Sequence, residues 1–103
     1  MKHKKTGSII QLVRVKTNMP EEEMLRIAHE RESQFAALPG LIQKYYVKLG
    51  NPGEYGGIYI WDSMESLKAF KESTLAATIA QAYQAVEPPN VEIVDIMFQL
   101  RES

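Results

Sequence analysis

"PGEYGGIYIWDSMESLKAF", residues 52 to 70, places a turn, a strand and a helix start in direct succession. Pro52 and Gly53 mark the turn. "GIYIWD" (57–62) mixes β-branched and aromatic residues and reads as a strand. It ends at the only tryptophan of the chain, Trp61. Ser63, with Glu65 and Ser66 close behind, is a helix cap. Gly56 and Gly57 are no phosphate loop, because a strand follows them and no lysine stands in place. Glycines at a strand start instead suggest a bend or a close approach of another group.

Upstream, "SIIQLVRVK" (8–16) is rich in β-branched residues and reads as the first strand. "TNMPEEE" (17–23) carries a helix start, with Thr17 or Asn18 as cap, Pro20 near the first turn and glutamates at the positive end of the dipole. That helix is expected to run to about Leu38, where "LPG" (38–40) stops it. "LIQKYYVKLG" (41–50) is the second strand, and "NPGEYGG" (51–57) connects it to the third.

Downstream, the phase of the pattern changes. Met64, Leu67 and Phe70 share one helical face, whereas Leu75, Ile79, Tyr83 and Val86 continue on a face rotated by about 100°. One straight helix would not bury both sets. A break is therefore expected at "EST" (72–74), with Ser73 or Thr74 capping a second segment. "EPPN" (87–90) ends it, and "VEIVDIMFQL" (91–100) is the last strand. The order β-α-β-β-α-β is the split arrangement of ferredoxin-like α+β folds. Right-handed crossovers place both helices on one face of a four-stranded antiparallel sheet.

With 103 residues the chain makes one domain, 1–103. A net charge of −1 gives no field to steer nucleic acid or an anionic membrane. The absence of cysteine excludes disulfides, thiolate catalysis and Cys-based zinc sites, and two histidines, His3 and His29, make a His-rich metal site in one chain unexpected. No apolar run approaches the ~20 residues that span a bilayer. "MKHKK" lacks a hydrophobic core behind it, so it is not expected to act as a secretory signal. Residues 1–7 are expected to be a flexible basic tail, and the cytoplasm is the expected location.

The last strand is apolar on both sides: Val94, Ile96, Phe98 and Leu100 point one way, Val91, Ile93 and Met97 the other. Helices can cover only one face of the sheet, so the remaining apolar surface predicts a partner, with a homodimer as the commonest solution. His29 falls opposite the apolar stripe of its helix and reads as a surface residue. Arg31 falls in the centre of the stripe made by Met24, Ile27, Ala28, Phe35 and Leu38. A guanidinium there must be paired, with Asp95 as a candidate, or face a ligand, or be exposed by a local twist. Tyr59 and Trp61 share one sheet face, with Tyr46 as a cross-strand neighbour. They are either packing or a ligand wall, and alternation leaves open whether that face meets the helices or a second copy.

"LPGLIQKYYVKLGNPGEYGGIYIWDSMESLKAF", with the terminal "VEIVDIMFQL", resembles the YdhR-type monooxygenases, a branch of the dimeric α+β barrel superfamily that also holds antibiotic-biosynthesis monooxygenases. The resemblance covers most of residues 8 to 100. It implies ferredoxin-like protomers that join through their sheets as a homodimer. It also implies oxygenase activity on small aromatic or polyketide-like molecules, often without metal or bound flavin. Haem-degrading relatives use an Asn–Trp–His set, which this chain lacks, since no histidine lies in its second half.

The expected function is thus a small-molecule monooxygenase, an oxidoreductase, acting on an aromatic or quinol-like substrate. It would need no metal and no resident cofactor, with reduced flavin at most supplied from outside. The alternatives are a non-catalytic ligand-binding or stress-response module, or a structural dimer whose cleft is filled. The expected substrate-binding set is Arg31, Tyr46, Tyr59, Trp61 and Tyr83, between the sheet and the helices. Gly56 and Gly57 would bend the chain at its mouth.

Overall fold

The computed structural model describes residues 7–101. Its elements are β1 (Ile9–Lys16), α1 (Glu21–Glu30), α2 (Glu32–Ala36), β2 (Leu41–Lys48), β3 (Glu54–Trp61), α3 (Met64–Lys71), α4 (Thr74–Ala77), α5 (Ile79–Ala82) and β4 (Asn90–Asp95). The strands form one antiparallel sheet in the order β2-β3-β1-β4, the ferredoxin-like α+β arrangement. No helix among the described residues is long and apolar enough to cross a membrane. The expected tail falls outside the described residues except for Gly7, whose N–H donates to Gln99 Oε1 at 2.8 Å.

The breaks between helices follow local chemistry. Ser63 caps α3 by accepting from the Ser66 N–H, and Ser73 caps α4 by accepting from the Ala76 N–H, so the expected interruption at 72–74 is present. A further break at Thr78 separates α4 from α5. The first helix is also interrupted, contrary to the expectation of one run to Leu38. Arg31 (φ −98°, ψ −1°) ends α1 and begins α2, and its N–H is shared between the carbonyls of Ile27 and Ala28. Neither Thr17 nor Asn18 caps α1. Pro20 is the cap residue, and the Thr17 hydroxyl instead accepts from the Met19 N–H at 3.1 Å.

Register fixes which face each strand residue occupies. Ile9, Gln11, Val13 and Val15 are buried beneath the helices, and pairing puts Trp61, Tyr59, Gly57 and Tyr55 beside them. The core joins these to Phe35, Leu67, Phe70, Ile79 and Tyr83 from the helical layer. Tyr59 and Trp61 therefore face the helices, which resolves the alternative left open by alternation.

The opposite face carries Ile10, Leu12, Ile58, Ile60, Tyr45, Val47 and Val94, none of them fully buried. An antiparallel sheet with one solvated face is ordinarily polar there. The last strand is shorter than expected: it ends at Asp95, and one further bond, Ile96 N–H to the Ser8 carbonyl at 2.8 Å, continues it. Beyond it Met97, Phe98 and Leu100 are 93%, 79% and 86% exposed. β1, its neighbour in the sheet, begins at Ile9, so residues 97–100 have no strand to pair with among the described residues.

Candidate functional site

Between sheet and helices lies a cavity of about 150 Å³. Val13 and Val15 of β1 and Gly57 and Tyr59 of β3 form its sheet side; Met24 and Ala28 of α1 face them. Lys44 and Tyr46 of β2 and Tyr83, just past α5, complete the wall. An apolar cavity of this size holds about one benzene ring.

Gly57 makes this wall possible, though not by bending the chain. It sits inside a regular ladder opposite Val13 and Tyr46, because β3 begins at Glu54 rather than at residue 57. A Cβ at Gly57 would stand 3.0 Å from Tyr59 Cε1 and 3.1 Å from Lys44 Cε. The bare backbone leaves the space through which the Lys44 side chain passes.

Tyr59 is 2% exposed, with its ring parallel to Trp61 at 6.0 Å and tilted against Phe70 at 5.3 Å and Phe35 at 6.2 Å. Trp61, expected in the wall, lies one layer behind it and is fully buried. Its indole Nε1–H donates to Gln11 Oε1 at 2.9 Å, so each buried polar group satisfies the other. With its polar handle occupied and its ring against Phe70 and Tyr59, the indole belongs to the core.

Burial raises all three tyrosine hydroxyls. That of Tyr46 is pushed up to about 12, first by desolvation and then by Tyr83 and Glu32, against the pull of Arg31. Tyr59 is raised further and Tyr83 is raised too, both chiefly by desolvation. At neutral pH these groups are neutral.

Arg31 is not among the cavity's lining residues. Its Nη2 donates to the Leu75 carbonyl at 3.4 Å and to Thr78 Oγ1 at 3.3 Å, tying the α1–α2 joint to the α4–α5 segment. These are its partners, rather than Asp95 on the edge strand β4. The guanidinium carbon stands 5.7 Å from the Phe35 ring centroid, and Nε is buried without a hydrogen-bond partner among the described residues.

The residue that sequence reasoning missed is Lys44. Its Nζ lies 3.5 Å from the ring centroid of Phe35, 4.2 Å from that of Tyr46 and 4.6 Å from that of Tyr59. Among the described residues no carboxylate lies within ion-pairing distance of it. Burial, with a smaller push from Arg31, lowers its pKa from 10.5 to about 7. A signal for it existed: the two-residue period of β2 that puts Tyr46 on the helix side puts Lys44 there as well.

His29 stays on the surface, where it bonds Glu32 Oε1 at 2.7 Å. Glu21 and Lys48, which pair at 3.1 Å, also line the cavity. Among the described residues no group of three or more His, Cys, Asp or Glu side chains could hold a metal ion.

The model of the family described as "Putative mono-oxygenase ydhR" matches residues 9–102. No curated protein matches the chain. Among solved structures, a protein of unknown function from Nitrosomonas europaea superposes with a TM-score of 0.75 at 19% identity, covering 96% of this chain and 98% of that one. SnoaB, a cofactor-independent oxygenase from Streptomyces nogalater, gives 0.72 at 14% identity, covering 92% and 98%. A monooxygenase of Streptomyces coelicolor in complex with nanaomycin D gives 0.72 at 13% identity, covering 94% of each chain. At these identities the likeness is one of fold.

Proposed function

The chain belongs to the ydhR mono-oxygenase family, and from that premise we propose that it oxygenates a small phenol- or quinol-like aromatic molecule in the helix-side cavity. The observation that carries this reading is the cavity's make-up: room for about one ring, walls of Tyr46, Tyr59 and Tyr83, and a cationic side chain, Lys44, that pairs with no carboxylate among the described residues, the lining Glu21 being taken by Lys48. Tyr59 and Tyr83 flank the ring, Tyr46 stands at the partly exposed side, and Trp61 fixes Tyr59 from behind. Arg31 adds positive potential from the helical joint and favours an electron-rich, anionic oxygen.

No metal or resident cofactor is required for the balance when the substrate supplies its own electrons. A phenol and one molecule of dioxygen give the quinone, the ring carbon para to the hydroxyl becoming a carbonyl. One oxygen atom is retained in the product, and the other leaves as water with the para ring hydrogen and the hydroxyl hydrogen. The protein's share is orientation and exclusion of bulk water.

The open sheet face, apolar from Ile10 and Leu12 to Ile58 and Ile60, together with exposed Met97, Phe98 and Leu100, fits a homodimer in which a second copy covers it.

Oxygen uptake with a panel of single-ring quinols and phenols, with and without reduced flavin, tests the function. Uptake with incorporation of labelled oxygen into product supports it. Ring binding with no uptake under either condition assigns the cavity to a non-catalytic binding module.

A further inference from the structure

We propose that Lys44 is the proton acceptor of this cavity: its amine takes the proton from the hydroxyl of a bound single-ring phenol or quinol and holds the phenolate as an ion pair. The inference rests on the reading of the cavity as an aromatic ligand site and names the group that activates the ligand there. In the step, the phenol O–H bond breaks and an N–H bond forms at the neutral amine, giving phenolate and ammonium. The charge of the complex is unchanged, and no oxidant is consumed.

Position makes the amine a base. It lies in the cavity wall on the helix side of β2, where ring surfaces replace water around Nζ. At a pKa of about 7 a substantial share carries a free lone pair at neutral pH. Those same rings then receive the ammonium that forms, since a cation over aromatic faces at these distances is attracted by their quadrupoles. The site therefore accommodates both states of the amine.

The surrounding charges leave the counter-ion position to a ligand. From α1, Glu21 lines the same cavity but is engaged by Lys48 of β2, which lines it too, and from α2, Glu32 is engaged by His29. Arg31, at the joint between them, contributes positive charge only. Tyr46 from β2, Tyr59 from β3 and Tyr83 past α5 have hydroxyls raised by burial, and Tyr46 and Tyr59 lie with their ring faces near Nζ. No protein phenol is thus ionised at neutral pH to neutralise Lys44.

The transfer is energetically reachable. Attraction between an ammonium and a phenolate in contact, at an effective dielectric near 20, amounts to roughly four pH units. The gap between an amine at about 7 and a phenol near ~10 in water is about three, but the burial that lifts Tyr46 to about 12 widens it to about five, so the transfer is reached by phenols more acidic than the parent.

The probe is 3-nitrophenol, whose phenolate absorbs at longer wavelength than its neutral form, titrated with protein at a pH above the amine's titration near 7 and below the phenol's own ionisation, so that both partners start neutral. Its methyl ether, 3-nitroanisole, is the control without a proton. The wild type is expected to develop the phenolate band on binding. Lys44→Met should lose the band and bind the phenol about tenfold or more weakly, as loss of a charged hydrogen bond implies. Both proteins should bind the ether alike. An equal phenolate band in Lys44→Met, or binding of the phenol by the wild type without a band, overturns the proposal while leaving the cavity reading intact. Failure of the wild type to bind either ring overturns the cavity reading and this inference together.

Discussion

Replacing Lys44 by methionine leaves an unbranched side chain in the cavity wall and removes the charge that burial disfavours. The magnitude follows from the displaced ionisation. In the unfolded chain the amine titrates near 10.5, and in the folded protein near 7, because burial and Arg31 disfavour the ammonium. At about 1.4 kcal/mol per pH unit, the gap corresponds to a penalty of up to about 5 kcal/mol on the charged folded state.

The sign is fixed by proton binding. Between pH 7 and 10.5 the unfolded state holds the proton and the folded state does not, so wild-type stability rises with pH across that window. The penalty is complete below pH 7 and vanishes above 10.5. Lys44→Met should therefore be more stable than wild type at pH 6, by about 10 °C or more in Tm for a domain of this size. That advantage should shrink steadily towards pH 10. Paired thermal melts at pH 6, 8 and 10 read it directly, because other titrating groups cancel in the difference. A pH-independent gap, or a variant less stable than wild type at pH 6, refutes the burial argument.

Arg31→Met removes the positive neighbour of Lys44, so the Lys44 titration midpoint, followed by NMR at its side-chain carbons, should rise from about 7. A fall or no change would show that Arg31 does not act on it. Trp61→Phe strands the buried Gln11 carbonyl and leaves a void, and should cost about 2–4 kcal/mol in urea unfolding. Gly40→Ala should destabilise strongly, because Gly40 has φ +79° and a Cβ there would lie 2.0 Å from Ser66 Oγ. Ile60→Asp, on the open sheet face, should convert a dimer to a species of 11.7 kDa by light scattering. A wild-type protein already at that mass rules out the homodimer.

Much of the fold was legible because its signals are local. The cap at Ser63, the phase shift after Phe70 and the cap at Ser73 each depend on a few neighbouring residues, and all are present. What failed depended on contacts across the fold. The break at Arg31 coincides with a guanidinium drawn to Leu75 and Thr78, far along the chain, which no helical periodicity contains. β3 begins earlier than its local pattern suggests, because Gly56 and Gly57 look like turn residues. Their place in the ladder comes from pairing with β1 and β2.

The site was half legible. Tyr46, Tyr59 and Tyr83 do surround one cavity, whereas Trp61 lies behind it and Arg31 beside it. Lys44 escaped notice because a lysine in an edge strand ordinarily reaches solvent. Only the stacking of Phe35, Tyr46 and Tyr59 around it shows that this one does not.

The central claim is that a small aromatic molecule is oxygenated inside the helix-side cavity. It is tested most directly by filling that cavity and watching oxygen consumption. Ala28 lies in the wall and is nearly buried, so Ala28→Leu projects added carbon atoms into the space a ring would occupy. With a quinol that the wild type consumes, uptake should fall by about tenfold or more in Ala28→Leu while circular dichroism shows the fold retained. Equal uptake by both proteins, in a variant whose cavity is shown to be filled, would place the reaction elsewhere and contradict the account.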